Sequence, residues 1–96
     1  MPRRILERIQ AAIRNAAYDV TLHALEEMAE DEVDLIDAET SIGNGRLIRT
    51  EGDDPRGARH TVHGIGADGI TPVGTVGRFT ETGRYLIITV YRVTEP

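Results

Sequence analysis

Residues 43–51 read GNGRLIRTE, and the apolar period of the chain changes there. Before this stretch, apolar residues recur at three- and four-residue spacing, the period of a helix face. From Arg46 onward they alternate, the period of a strand. Glycine and asparagine in "GNG" (43–45) tolerate the left-handed geometry that ends helices, so the last helix is expected to stop there. Helices first and strands afterwards predict an α+β domain, with the helices on one face of a sheet.

Toward the N-terminus, Ile5, Leu6, Ile9, Ala12, Ile13, Ala16 and Ala17 form one apolar stripe. This predicts a helix over Arg3–Ala16, with Pro2 suited to its first turn. "YDV" (18–20) reads as a short extended link. Thr21 is an expected N-cap, its hydroxyl accepting from a free first-turn amide. It opens a second helix over Leu22–Glu32 whose apolar face holds Leu22, Leu25, Met28, Ala29 and Val33. Asp34 is placed to cap a third, Leu35–Ile42.

Toward the C-terminus, "RLIRTE" (46–51), "ARHTVHGIG" (58–66), "ITPVGTVGRF" (70–79) and "RYLIITVYRV" (84–93) predict four strands. The connections "GDDPRG" (52–57), "ADG" (67–69) and "TETG" (80–83) carry turn residues, so the strands are expected to form an antiparallel meander. In the last strand Leu86, Ile88 and Val90 are expected under the helices, with Tyr85, Ile87, Thr89 and Tyr91 on the other face. In the second, Arg59, Thr61, His63 and Ile65 share one face; His60, Val62 and Gly64 share the other.

A chain of 96 residues makes a single domain, 1–96, with one modest core. It has no cysteine, which excludes disulfides, thiolate metal sites and cysteine nucleophiles. No apolar run approaches a membrane span, and the arginine-studded start is no signal peptide; a cytoplasmic protein without membrane partners is expected. The net charge of −5 is unevenly spread. Residues 17–45 hold nine acids and no base, whereas residues 46–96 hold seven arginines and six acids. All the basic residues are arginine. That suits phosphate recognition and equally suits a composition bias.

The chemistry-bearing candidates are few. His23 and Glu27 form an i, i+4 pair, with Glu30 at i+7. A carboxylate orients an imidazole and raises its pKa, although a solvated acidic helix face has the same pattern. As a metal site the pair lacks further ligands, and no metal is expected. His60 and His63 lie on opposite sheet faces, so one can share a groove with Arg59, Thr61 and Tyr91. Histidine or tyrosine for protons and arginine for phosphorane charge make up a metal-free ribonuclease. Ordinary strand residues on an exposed face remain the alternative. Asp53 or Asp54 is expected to pair with Arg56 within its turn.

The order of motifs adds to this. "YDVTLHALEEM", then "GNG", "DDPRG", a G-x-x-x-D-G-x-x-P turn and a closing "IITVY" resemble a small prokaryotic family, a domain of unknown function numbered forty-two fifty-eight. The resemblance covers about residues 18–96, with helix 1–17 as an addition. It implies a RelE-like fold, in which about three N-terminal helices pack on one face of a four-stranded antiparallel sheet. It implies a toxin of a toxin–antitoxin pair, similar to the RelE, MqsR and BrnT types. The partner would be a zinc-finger or helix-turn-helix antitoxin, and the activity cofactor-free mRNA endoribonuclease. His23, Tyr91 and Thr89 are the implied catalytic positions and Arg56 an implied RNA contact, to which the strand reading adds Arg59 and His63. The acidic helices would receive the antitoxin. A catalytically inactive protein-binding module of the same fold is the alternative, and an edge strand that pairs with itself would make a homo-oligomer. The chain departs from the family at Glu27 and Asp31, where the motif has arginine, and at Gly74, where a histidine commonly follows the turn proline.

Overall fold

The computed structural model describes residues 2–52 and 55–94. The elements run α1 (Pro2–Arg14), β1 (Tyr18–Val20), α2 (Leu22–Asp31), α3 (Leu35–Asn44), β2 (Arg46–Glu51), β3 (Arg59–Ile65), β4 (Pro72–Phe79) and β5 (Tyr85–Arg92). The fold is α+β, as expected from the change of period at Arg46. The proposed pairing of Asp53 or Asp54 with Arg56 lies outside the described residues.

Local chemistry sets the helix ends. The Thr21 hydroxyl accepts from the Ala24 amide at 3.1 Å, which satisfies one orphan donor at the start of α2. Glu32 ends that helix at φ 57°, a left-handed non-glycine residue. The Asp34 amide donates to the Asp37 carboxylate at 3.0 Å, half of a capping box at the start of α3. Helix α3 runs two residues beyond the expected Ile42, and Gly45 after it is extended (φ −90°, ψ −176°). The glycine is therefore needed for room, and not for left-handed backbone. A Cβ at Gly45 would lie 2.4 Å from the Ser41 carbonyl oxygen. The neighbouring Asn44 side chain pairs with both backbone groups of Ile65 at 2.8 Å, so the "NG" pair fastens α3 to the end of β3.

The sheet differs from expectation in strand number. "YDV" is strand β1, not a link, and the described residues form a five-stranded mixed sheet of order β1-β5-β4-β3-β2. Strand β1 pairs parallel to β5, with Tyr18 opposite Tyr85 and Val20 opposite Ile87, while β2 to β5 form the antiparallel meander. Three residues are too few to display a period, so only the distant partner strand defines β1.

The face assignment in β5 also changes. Val76 pairs Thr89 and Gly77 pairs Ile87, leaving Ile88 as an extra residue in a bulge. Alternation slips by one there. Tyr85 and Ile87 are therefore fully buried with Val90, while Leu86 and Ile88 are only partly buried.

The core lies between the helices and one sheet face. Ile9, Ala12, Ala24, Met28, Val33, Ala38 and Ile42 meet Val62, Val73, Tyr85, Ile87 and Val90. All three helices contribute to this one side. Since β1 covers only the first part of β5, the rest of that edge has backbone groups to satisfy. Helix α2 does so. The Thr21 amide and hydroxyl donate to the Ile87 and Ile88 carbonyls, each at 3.0 Å. The Val90 amide donates to Glu27 at 3.1 Å, and the Arg92 amide to Asp31 at 3.0 Å. Four residues of helix rise about 6 Å and two residues of strand about 6.6 Å, so the two spacings match. Glu27 and Asp31 thus act as a strand surrogate along β5.

Candidate active site on the open sheet face

Among the described residues, no helix covers the other face of the sheet. Val62, Thr75 and Val90 pair across β3, β4 and β5 and point into the core, so the next row, His63, Gly74 and Tyr91, points away from it. Neighbouring strands are about 4.8 Å apart, which puts His63 and Tyr91 on strands roughly twice that distance from each other. Their side chains nevertheless meet above β4, with His63 Nε2 and Tyr91 Oη 2.7 Å apart. The rings meet edge to face at 5.7 Å.

Gly74 makes this contact possible. A Cβ there would stand 2.4 Å from Tyr91 Cζ, inside the ring's own volume. The glycine clears the path over β4 for the Tyr91 ring to meet a histidine reaching from β3.

Register adds the charges. Arg49 pairs Thr61 and Arg46 pairs His63, so both arginines stand on the open face beside the pair. The extra residue Ile48 forms a bulge between them. Among the described residues neither arginine has a carboxylate partner. Burial pushes the His63 pKa below its ordinary value, and the Arg49 charge pushes it further the same way. Burial raises the Tyr91 pKa, with Arg49 opposing. At neutral pH the pair is accordingly a neutral imidazole and a protonated phenol. Such a pair is a proton acceptor in contact with a proton relay, beside a fixed positive charge.

The other expected site residues are distributed as follows. Thr89 pairs Val76, two residues from Tyr91 on the same face. Arg59 shares the His63 face at the far end of β3, where it pairs Glu51 at 3.7 Å. Arg56 lies in the β2–β3 connection, and its carbonyl accepts from Arg78 at 3.4 Å. His23 stays apart from this cluster. It is exposed on α2 and holds Glu27 at 3.1 Å, with Glu27 in turn bound to the Val90 amide. His60 points the other way, toward the helices. It is 4% exposed, beside Phe79 and hydrogen-bonded to Thr50 at 3.1 Å. The structure therefore unites His63, Tyr91 and Thr89, and leaves His23 on the opposite side of the β5 edge. Sequence reasoning missed Arg46, Arg49 and the role of Gly74. Only the register of β2 to β5 could reveal them.

The open face carries Arg46, Arg49, Arg59 and Arg78 with Glu51, whereas the acids of residues 26–39 lie on α2 and α3; α1, packed on the same side as those helices, carries Arg4, Arg8 and Arg14. Among the described residues, no helix is long and apolar enough to cross a membrane.

Comparison with known families agrees with the sequence resemblance. The family model described as "Domain of unknown function (DUF4258)" matches residues 20–92. No curated protein and no solved structure matches the chain.

Proposed function

The chain belongs to the DUF4258 family, and on that premise we propose that it is an endoribonuclease, the toxin of a toxin–antitoxin pair. The observation that carries the proposal is the His63–Tyr91 hydrogen bond over Gly74, beside the positive charge of Arg49. In this reading RNA lies on the open sheet face. The 2′-hydroxyl proton passes to Tyr91 Oη as the phenol proton passes to His63 Nε2. The 2′-oxygen bonds to phosphorus, the bond from phosphorus to the 5′-oxygen breaks, and the departing oxygen takes a proton from water. The products are a 2′,3′-cyclic phosphate and a 5′-hydroxyl. Arg49 faces the charge that builds on the phosphorane, and Arg46 holds a flanking phosphate. His63 takes the proton-accepting role that the family resemblance had suggested for His23.

The fold supports a RelE-like assignment, with helices on one face and a basic sheet face left free. The charge distribution supports the same division of labour. A polyanion is drawn to the arginines of the open face and turned away from the acids of α2 and α3. A basic antitoxin segment fits those helices, where Leu22, Leu25, Leu35 and Ile36 are exposed among the acids.

Induced expression in a bacterium and incubation of purified protein with mRNA test the proposal. Arrested growth and products ending in 2′,3′-cyclic phosphate are expected. His63→Ala and Tyr91→Phe should each lower the rate by about 10²–10⁴, the usual contribution of a positioned proton-transfer group. Unimpaired growth together with intact RNA at high enzyme concentration would remove the nuclease reading. The catalytically inactive binding module would then stand in its place.

A further inference from the structure

Past His63, the open face ends in a hollow of about 340 Å³. Ile48, Ile65, Pro72 and Val93 give it apolar walls, and Arg46 and His63 border it. Ile48 and Ile65 are 48% and 37% exposed, an apolar surface kept open to solvent beside the charged pair. Ile48 is the extra residue of the β2 bulge, between Leu47 opposite Val62 and Arg49 opposite Thr61. Asn44 also borders the hollow, and its amide is held by two hydrogen bonds to Ile65. Those bonds leave it one N–H and one oxygen lone pair to offer. A fixed polar edge beside apolar walls is what a nucleobase needs, which is flat and apolar on its faces and polar at its rim. The volume lies at the small end of ligand pockets, enough for one base and short of a longer segment.

We propose that this hollow is a base-binding subsite, taking the nucleobase of the nucleotide whose flanking phosphate lies at Arg46. The assignment rests on the endoribonuclease reading for its position in the substrate. Its physical content, a base held between aliphatic walls, is measurable without catalysis.

The test uses the full chain, methyl-labelled at isoleucine and valine, titrated with AMP, GMP, CMP and UMP and separately with ribose 5-phosphate. At least one nucleotide should shift the methyl signals of Ile48, Ile65 and Val93 and bind tenfold or more tighter than ribose 5-phosphate. Ile65→Gln, a neutral substitution at an exposed position that should leave Tm nearly unchanged, should abolish that margin and leave ribose 5-phosphate binding intact. Equal binding of nucleotides and ribose 5-phosphate, or nucleotide binding that leaves those methyls unmoved, would overturn the subsite. Absence of any nucleotide binding at millimolar concentration would do the same. RNA cleavage by the unaltered protein is read in parallel. Methyl shifts without cleavage uphold the subsite and reject the nuclease, and cleavage without methyl shifts does the reverse.

Discussion

Replacing Gly74 by alanine separates the candidate site from the fold. The new methyl would lie 2.4 Å from Cζ, 2.6 Å from Cε2 and 2.7 Å from Oη of Tyr91. Non-bonded carbons prefer about 3.5–4.0 Å, so the ring must retreat by roughly 1 Å or more. A retreat of that size stretches the 2.7 Å contact with His63 beyond the range of a hydrogen bond. The obstructed atoms are the far end of a mobile side chain facing solvent, so the backbone need not move. The lost hydrogen bond removes about 1 kcal/mol of stability. Alanine in place of glycine in a strand returns about 0.5–1 kcal/mol. The two nearly cancel, and Tm should shift by no more than about 4–8 °C. Cleavage, by contrast, should fall by about 10²–10⁴, as for Tyr91→Phe, since both remove the same proton path. The double variant should be no slower than Tyr91→Phe alone, because the two changes act on one interaction. The assays are thermal unfolding, the ¹⁵N shift of His63 Nε2 and the cleavage rate. A Gly74→Ala protein that keeps both its imidazole shift and full activity would refute the reasoning.

Other outcomes follow from the same structure. Arg49→Gln should raise the His63 pKa toward its ordinary value and raise that of Tyr91 further, since the guanidinium lowers both; NMR titration reads each direction. The same variant should slow cleavage by about 10²–10³ if Arg49 meets phosphorane charge. His60 and His63 both titrate below the unfolded value of 6.5, His60 chiefly through burial with Arg8 adding to it. Their contribution is thus fully present above pH 6.5 and lost as pH falls through the lower folded values, so Tm should decline from pH 7.5 to 5. His60→Gln should flatten that decline. Glu27→Ala leaves the Val90 amide without an acceptor and should lose about 1–3 kcal/mol in denaturant unfolding, whereas Glu27→Gln keeps an oxygen there and should lose less. Asp31→Ala should act similarly through the Arg92 amide.

Parts of this molecule that depend on short-range chemistry were legible in the chain. The change of period at Arg46, the Thr21 cap and the separation of His60 from His63 all follow from residues a few positions apart. The unread parts depend on partners far away in sequence. Strand β1 is defined by β5, more than sixty residues later. The Ile88 bulge exists only in the register of β5 against β4, and it is what buries Tyr85 and Ile87 on the core side with Val90. Arg49 gains its meaning from facing Thr61 and His63 across a hairpin whose own bulge shifts the count by one.

Glu27 and Asp31 illustrate the difference most sharply. As letters, two acids four residues apart signal a helix face that repels RNA. In the fold they are bound to the open edge of β5, where any strand would need acceptors for the Val90 and Arg92 amides. Their charges are fixed on the helical side of that edge, while Tyr91, the residue between those two amides, points to the opposite face. The same three residues of β5 therefore separate the two electrostatic environments. Acids grip alternate amides from one side, and the phenol emerges among arginines on the other. The acids of α2 leave the arginine set beside His63 undisturbed. The proposed nuclease reading therefore rests on the open face, and His23→Ala, unlike His63→Ala, should leave cleavage unchanged.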